Sequence, residues 1–405
     1  MFVDMSLLKI LLITLLVFLP FGEIIRIGIG NDIYVKPMDV IAVILAVWVC
    51  ILYIKNVTFR KTLRWYYLLF PFVGLLSLGI NSYWLHSSQW FASSLYLVRW
   101  VGYASIFLAI QYTNKPFRKI LYTIAFIDGI ALVLIGYLQY FLYSDLRNLI
   151  YLGWDDHRYR MFSSFFDPNF AGTMFVLYLI FIAGRLFDFT KTVKKRNKIV
   201  LSAIFLLTLI ALLLTYSRGA LVMLLVSSFT FLWLLQKKKF MVVLVGIIAI
   251  FLVSISPFFY LENVNLFRVA SVNARIHANE DAFAVIAANP LIGVGFDSYR
   301  YAQEKYHFQK KPPKFPSHSD AGVDASLLFV LATTGIVGLV SYLYLWFRLV
   351  SKARNVYKKE MNMLAAVTIA SSAGLFINAL FINSLFYPAV MLWMWMLFGF
   401  IEEKD

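Results

Sequence analysis

Apolar stretches of roughly span length recur along the whole chain, each closed by a short break carrying charge, proline, asparagine or glycine. A helix needs about 20 mostly apolar residues to cross a bilayer. On that rule the pattern predicts twelve spans, at 6–25, 38–54, 65–80, 95–113, 119–143, 168–187, 199–216, 219–235, 240–257, 324–347, 362–384 and 388–401. The expected fold is all-α, a polytopic transmembrane helical bundle, with 1–405 as a single integral-membrane domain. Its one large extracytoplasmic loop, 258–323, falls between spans nine and ten and is long enough to be partly helical. The first span has Lys9 as its only basic residue and no small-residue cleavage site, so it reads as a retained span, not a removed signal peptide.

One run decides the count in the middle of the chain. Residues 199–235 contain Arg218 as their only charge. As one helix they would extend about 55 Å at 1.5 Å per residue, against a hydrocarbon core of about 30 Å. Two spans must share the run, and the break belongs at Ser217, Arg218 and Gly219. "KTVKKRNK" before it and "QKKK" after it hold both ends inside, which turns the Ser-Arg-Gly corner outward.

Composition agrees with the pattern: 61% of residues are hydrophobic, 14% are charged, and the mean hydropathy is +0.77. A net charge of +16 raises the question of nucleic acid, but most basic residues sit on short loops assigned to one side, as the positive-inside bias requires. Both termini are therefore expected in the cytoplasm, and no nucleic-acid partner is needed. The lone cysteine, Cys50, lies within the second span and excludes an internal disulfide framework. What the bias does not explain is a second group of cations on the outside. Arg158 and Arg160 lie at 144–166, Arg218 at its corner, and Arg268, Arg275, Arg300, Lys305, Lys310, Lys311 and Lys314 in the large loop. Clustered cations on the outer face invite an anionic ligand.

Several stretches have local explanations. In "RMFSSFFDPNFAG" (160–172), Asp167 caps a helix whose first turn holds Pro168. "VNARIHANEDAFAVIAANP" carries a rough helical stripe that Asn289-Pro290 ends. Gly293 and Gly295 in "PLIGVGFDSY" form a turn and complete no nucleotide fingerprint. His318 follows Pro312, Pro313 and Pro316, and Asp320 stands two residues on; an imidazole can accept a proton near neutral pH and a carboxylate can orient it. His86, His157 and His307 read as solvated. No phosphate-binding glycine loop or zinc motif is present, and "WDDH" (154–157) does not by itself make a metal site, so no cofactor and no metal are expected.

In order, "RMFSSFFDPNFAG", "TYSRGALV", "NARIHANEDAFAVIAANPLIGVGFDSY" and "SHSDAGVDASLLFVLATTGIVGLVSYL" resemble the landmarks of the O-antigen ligase and O-antigen polymerase superfamily. The resemblance covers about residues 150–345. It implies a membrane glycosyltransferase that uses a polyprenyl-pyrophosphate-linked glycan donor and a glycan acceptor on the outer face of the cytoplasmic membrane. It further implies that Arg218, Arg160 and Arg275 bind the pyrophosphate and that His318 is the base for the acceptor hydroxyl. Ser319 stands where the family usually has asparagine. Asp320, Asn169 and Arg158 are the candidate substrate-binding residues. Cations for the leaving group and a base for the hydroxyl suffice for an inverting displacement, and arginine forks suit phosphate oxygens. A polysaccharide polymerase, for capsule, exopolysaccharide or O-antigen, is the leading expectation. A ligase that differs in acceptor and a flippase for the same lipid-linked glycan are the alternatives. Membrane lipid, a flippase and a chain-length regulator are the expected partners.

The predicted topology is open to a direct check. On a Cys50→Ser background, Asp156→Cys should react with an impermeant maleimide added to intact cells, and Gln236→Cys should react only after the membrane is opened. The reverse pattern would invert the orientation.

Overall fold

The computed structural model describes residues 5–30, 33–55, 63–188, 195–237, 239–240, 269–306 and 322–401, with the backbone alone at 269–277. The described helices, in order, are α1 (Met5–Phe18), α2 (Pro37–Lys55), α3 (Tyr66–Ile80), α4 (Ser87–Tyr112), α5 (Lys115–Leu142), α6 (Pro168–Leu186) and α7 (Lys195–Leu214). They continue with α8 (Arg218–Leu234), α9 (Val269–Ala288), α10 (Tyr299–Lys305), α11 (Ser326–Glu360), α12 (Met363–Asn378) and α13 (Pro388–Gly399). Two-residue strands, β1 (Ile27–Gly28) and β2 (Tyr34–Val35), pair antiparallel in the connection from α1 to α2.

Among the described residues, seven helices, α2 to α7 and α11, are long and apolar enough to cross a membrane; α3 reaches that length with the 3₁₀ turn that follows it. The helices α1, α8, α12 and α13 are apolar but shorter. Together these eleven coincide with eleven of the predicted spans. The ninth, 240–257, lies outside the described residues apart from its first position.

The run 199–235 divides as length requires. α7 stops at Leu214, the chain turns through Thr215, Tyr216 and Ser217, and α8 begins on Arg218. Tyr216 takes the left-handed conformation at φ 50° that the corner needs. The centre of the bundle is α6, whose most apolar stretch is 78% buried, whereas that of α7 is 22% buried. α6 packs on α7, α8 and α12, and α12 lies along α8. Close approach depends on glycine at these crossings: a Cβ at Gly172 of α6 would stand 2.7 Å from the Ala220 Cβ of α8.

The tenth span is not the continuous helix that hydropathy predicts. α11 is broken at Gly335 (φ 64°, ψ −169°), and residues 290–295 wedge into the break. Ile336 N–H donates to the Pro290 carbonyl at 2.9 Å, and Val294 and Gly295 N–H donate to the Ala332 and Thr333 carbonyls at 3.1 and 3.0 Å. The Ser77 hydroxyl of α3 bonds the Ile292 and Thr333 carbonyls, so a third element closes the joint. Gly293 is therefore not just a turn residue: a Cβ there would stand 2.4 Å from the Thr333 backbone, at a φ of 70°.

Arg99, the charge that stands inside a span, has a structural partner. Its guanidinium lies 2.9 Å from Asp39 of α2 and donates to the Tyr34 carbonyl at 2.7 Å, while the Tyr103 hydroxyl donates to the other Asp39 oxygen at 2.9 Å. Nearby, Lys36 pairs with buried Glu23, which also accepts from the Tyr387 hydroxyl at 2.8 Å. Asp128, midway along α5, is a further ionisable group inside a span, buried with one carboxylate oxygen unbonded.

Removing one member of a buried ion pair strands the other, at a cost of about 3–5 kcal/mol, whereas replacing both with apolar groups is often neutral. Arg99→Ala should therefore lower the thermal unfolding midpoint in detergent by several degrees, and Arg99→Met with Asp39→Leu should recover most of the loss. Equal losses in both proteins would show that the pair is not the source.

Candidate active site

At one end of the bundle, two sequence motifs more than fifty residues apart meet. The segment entering α6 runs back across the end of α7: Met161 N–H donates to the Leu214 carbonyl at 2.8 Å. Arg160 follows it in, only 2% exposed, and its Nε donates to the Thr215 carbonyl at 2.9 Å. A second guanidinium nitrogen lies 3.5 Å from the Tyr216 carbonyl. These carbonyls follow the last turn of α7, where a cation is favoured by the helix dipole. Gln139 secures the same segment from α5, accepting from the Phe162 and Ser163 N–H groups at 2.8 and 3.1 Å and donating to the Arg160 carbonyl at 3.3 Å.

The predicted cap is present: the Asp167 carboxylate accepts from Asn169 N–H at 2.6 Å, and Pro168 opens α6. Asn169 then reaches the arginine corner, its side-chain oxygen accepting from the Ser217 hydroxyl at 3.0 Å. Ser217 is the N-cap residue of α8 but spends its hydroxyl on Asn169, leaving the first turn of α8 without a side-chain cap. Arg218 is partly buried at the first position of that helix. Thr173 links Asn169 to the Asn378 side chain at the end of α12, at 2.9 and 3.2 Å. Arg160, Asn169 and Ser217 therefore belong to one knot of backbone and side-chain bonds, and Arg218 follows Ser217 directly in the chain.

The other candidates stand differently. Arg158 forks onto Asp156 at 3.0 and 2.7 Å, both well exposed, on a segment that pairs with Asp145. His157 is buried, contrary to the solvated reading, because Leu146 N–H bonds its carbonyl and folds the segment inward. Arg275 lies on α9, which ends at Asn289 as expected and packs on α11; its side chain is outside the described part. His318 and Asp320 lie outside the described residues. The chain that follows them enters α11 at this same end: Ser326 N–H donates to the Ala379 carbonyl at 2.8 Å, one residue past Asn378.

Two loop cations are held elsewhere. Arg300 lies over the Tyr96 ring at 5.9 Å, shared with Arg99 at 4.7 Å, and Lys305 over the Trp84 ring at 4.7 Å. From Arg99 the contacts continue through Tyr34 to Arg26, which lies over the Tyr34 and Trp154 rings at 3.9 and 4.5 Å; Trp154 meets Phe166 beside Asp167. An arc of cations and aromatic faces thus connects Arg300 to the start of α6. The sequence singled out neither Gln139, Asn378 nor Arg26, and it marked Ser217 only as part of the break. A lone Gln in the apolar α5 was the one local signal among them.

Residues 203–343, about a third of the chain, match the family model described as O-antigen ligase. The match over that stretch supports the O-antigen ligase and polymerase superfamily. No curated protein matches the chain. The O-antigen ligase match takes in the arginine corner, α8, α9, the glycine wedge and the first half of α11, and it stops short of Arg160 and Asn169 on the amino-terminal side. The knot described above joins those two residues to the matched region. The match supports a glycan-transferring enzyme of the membrane, in keeping with the apolar helices.

Asp297, next to this region, carries a pH signature. Burial raises its carboxyl from 3.8 to about 7, with Arg300 and Arg99 pulling the other way. A carboxyl whose folded pKa is raised contributes stability that is complete below 3.8 and is lost as pH rises through about 7. Unfolding free energy should therefore fall between about pH 4 and 7 and level off above, and Asp297→Asn should flatten that part of the profile. An unchanged slope in the variant would assign it to another group.

Proposed function

We propose that the protein is an inverting glycosyltransferase that joins polyprenyl-pyrophosphate-linked oligosaccharides on the outer face of the cytoplasmic membrane, acting as a polysaccharide or O-antigen polymerase. The observation that carries this reading is the bond from Arg160 to the Thr215 and Tyr216 carbonyls, which ties one arginine motif to the corner that presents the other. In the proposed step, the acceptor oxygen bonds to the anomeric carbon of the donor as the bond from that carbon to pyrophosphate oxygen breaks. The hydroxyl proton passes to His318, and the leaving pyrophosphate keeps the electron pair. Arg218, Arg160 and Arg275 stabilise the charge that develops there, as fixed cations do best in a site that excludes water. The uncapped first turn of α8 adds N–H groups and a partial positive charge on the same side. Asn169, Asp320 and Arg158 contact the sugars or pyrophosphate, and the aromatic arc offers faces for the glycan. A flippase and a chain-length regulator complete the expected partners.

Ligation is the second reading, favoured by the description of the family model that matches the chain. It uses the same donor and the same step, with a different lipid or cell-wall acceptor.

Purified protein given lipid-linked repeat units should yield longer glycans. His318→Ala and Arg218→Ala should each reduce the rate by about a hundredfold or more, the usual scale for losing a general base or an oxyanion-stabilising donor. Extension that survives both substitutions removes the site assignment. Transfer to a different lipid acceptor without extension selects the ligase, and lipid translocation in vesicles without transfer selects a transporter.

A further inference from the structure

The Asp167-Pro168-Asn169 turn that opens α6 has a phenylalanine on each flank, and Phe165 and Phe170 meet the same ring, Tyr387, from the far end of the chain. Tyr387 lies flat on Phe170, with ring centroids 3.9 Å apart and planes 10° apart, and edge-on to Phe165 at 5.8 Å. One side chain therefore brackets the turn on both sides. Its own backbone is set locally. A residue before proline is held extended, so Tyr387 is the N-cap of α13 (φ −73°, ψ 126°) and Pro388 starts the helix.

The tyrosine hydroxyl is anchored as well. It donates to Glu23 at 2.8 Å, and the buried Glu23 carboxylate also holds the Lys36 ammonium, which lies over the Tyr387 ring at 5.1 Å. Lys36 is tied in turn: its backbone N–H donates at 3.1 Å to Asp39, the partner of Arg99. A buried carboxylate paired with an ammonium cannot drift from it without stranding both charges, so Glu23 is a fixed point. The connection that carries Glu23 reaches the same motif through its backbone. Glu23 N–H donates to the Ser164 carbonyl at 2.8 Å, and a Cβ on Gly22 would stand 2.6 Å from that oxygen, at a φ of 51°.

What this frame holds in place is Asn169. Its side-chain oxygen is taken by the Ser217 hydroxyl, next to Arg218, and its amide NH2 makes no hydrogen bond to the described residues. An amide fixed through its oxygen presents two N–H donors in a set direction. Phe170 is the next residue of the same helical turn, so movement of the ring stack moves Asn169 directly.

We propose that Tyr387, anchored on Glu23, is a positioning residue for the glycan donor: it fixes the turn that carries Asn169, whose amide donates to an oxygen of the donor beside Arg218. This rests on the glycan-transfer reading. Tyr387 acts through Asn169 and does not touch the reacting atoms. A loosened turn weakens donor binding equally in the ground and transition states, which raises KM and leaves kcat nearly unchanged. A purely structural loss would instead reduce the amount of folded enzyme and lower the apparent kcat at constant KM.

Steady-state transfer by the purified full-length protein, with lipid-linked repeat units as the varied substrate, tests this. Tyr387→Leu should raise KM about tenfold, the scale of one hydrogen bond to a charged group, with kcat within about twofold of wild type. Tyr387→Phe keeps the ring stack and should stay within about threefold on KM. On an Asn169→Ala background, Tyr387→Leu should add less than about twofold, because both changes remove the same interaction. A wild-type KM in Tyr387→Leu, a loss confined to kcat, or a further rise of about tenfold on the Asn169→Ala background overturns the positioning role while transfer itself stands. No transfer by wild type removes the glycan-transfer reading and the proposal with it. Where Tyr387→Leu does not fold, Phe170→Leu removes the same stack from the other side and carries the same expectations.

Discussion

Backbone that leaves helical geometry inside an apolar bundle has no water to bond, so the chain itself must answer each exposed N–H and C=O. That constraint organises two irregular places among the described residues. At the break in α11, the wedge at 290–295 and Ser77 supply the missing partners. At the corner between α7 and α8, Arg160 takes the carbonyls and Gln139 takes the N–H groups of the segment that brings Arg160 in. Arg160 thus has a structural duty that holds its guanidinium beside the corner without any ligand. A guanidinium has five donors, so a structural duty and a ligand-binding one are compatible on the same side chain.

The same constraint sets the precision of the candidate site. Its residues come from three helices and two connections, yet they are linked by short bonds: Asn169 to Ser217, Thr173 to Asn378, and Ser326 to Ala379. The glycines at the crossings let those elements approach, as at Gly172 against Ala220. A charge-stabilising site gains from this arrangement, because cations fixed in advance do not have to reorganise as charge develops.

How much of this was legible in the sequence depended on whether the cause was local. Span number around 199–235 followed from length and a single arginine, and the structure divides the run where length required. The Asp167 cap and the end of α9 at Asn289 followed from residues within a turn of the boundary. The break at Gly335 was not legible, because hydropathy continues through it and its cause lies forty residues earlier in the wedge. The partnership of Arg99 with Asp39 was equally hidden, since it joins neighbouring helices through residues sixty positions apart. Arg158 and Arg160 look alike in sequence. One lies on an exposed Asp156 and the other is buried against a helix end, a difference that only the path of the chain decides.

The burial of α6 changes what the bilayer does for this protein. A span enclosed by other helices meets almost no lipid, so its environment is that of a soluble protein's core and is set by side-chain fit. α7, largely uncovered, is exposed to the surrounding medium instead. Changes in membrane thickness or detergent therefore act first on α7 and reach the corner through the carbonyls that Arg160 grips, which places the candidate site where a rigid interior meets a lipid-sensitive edge.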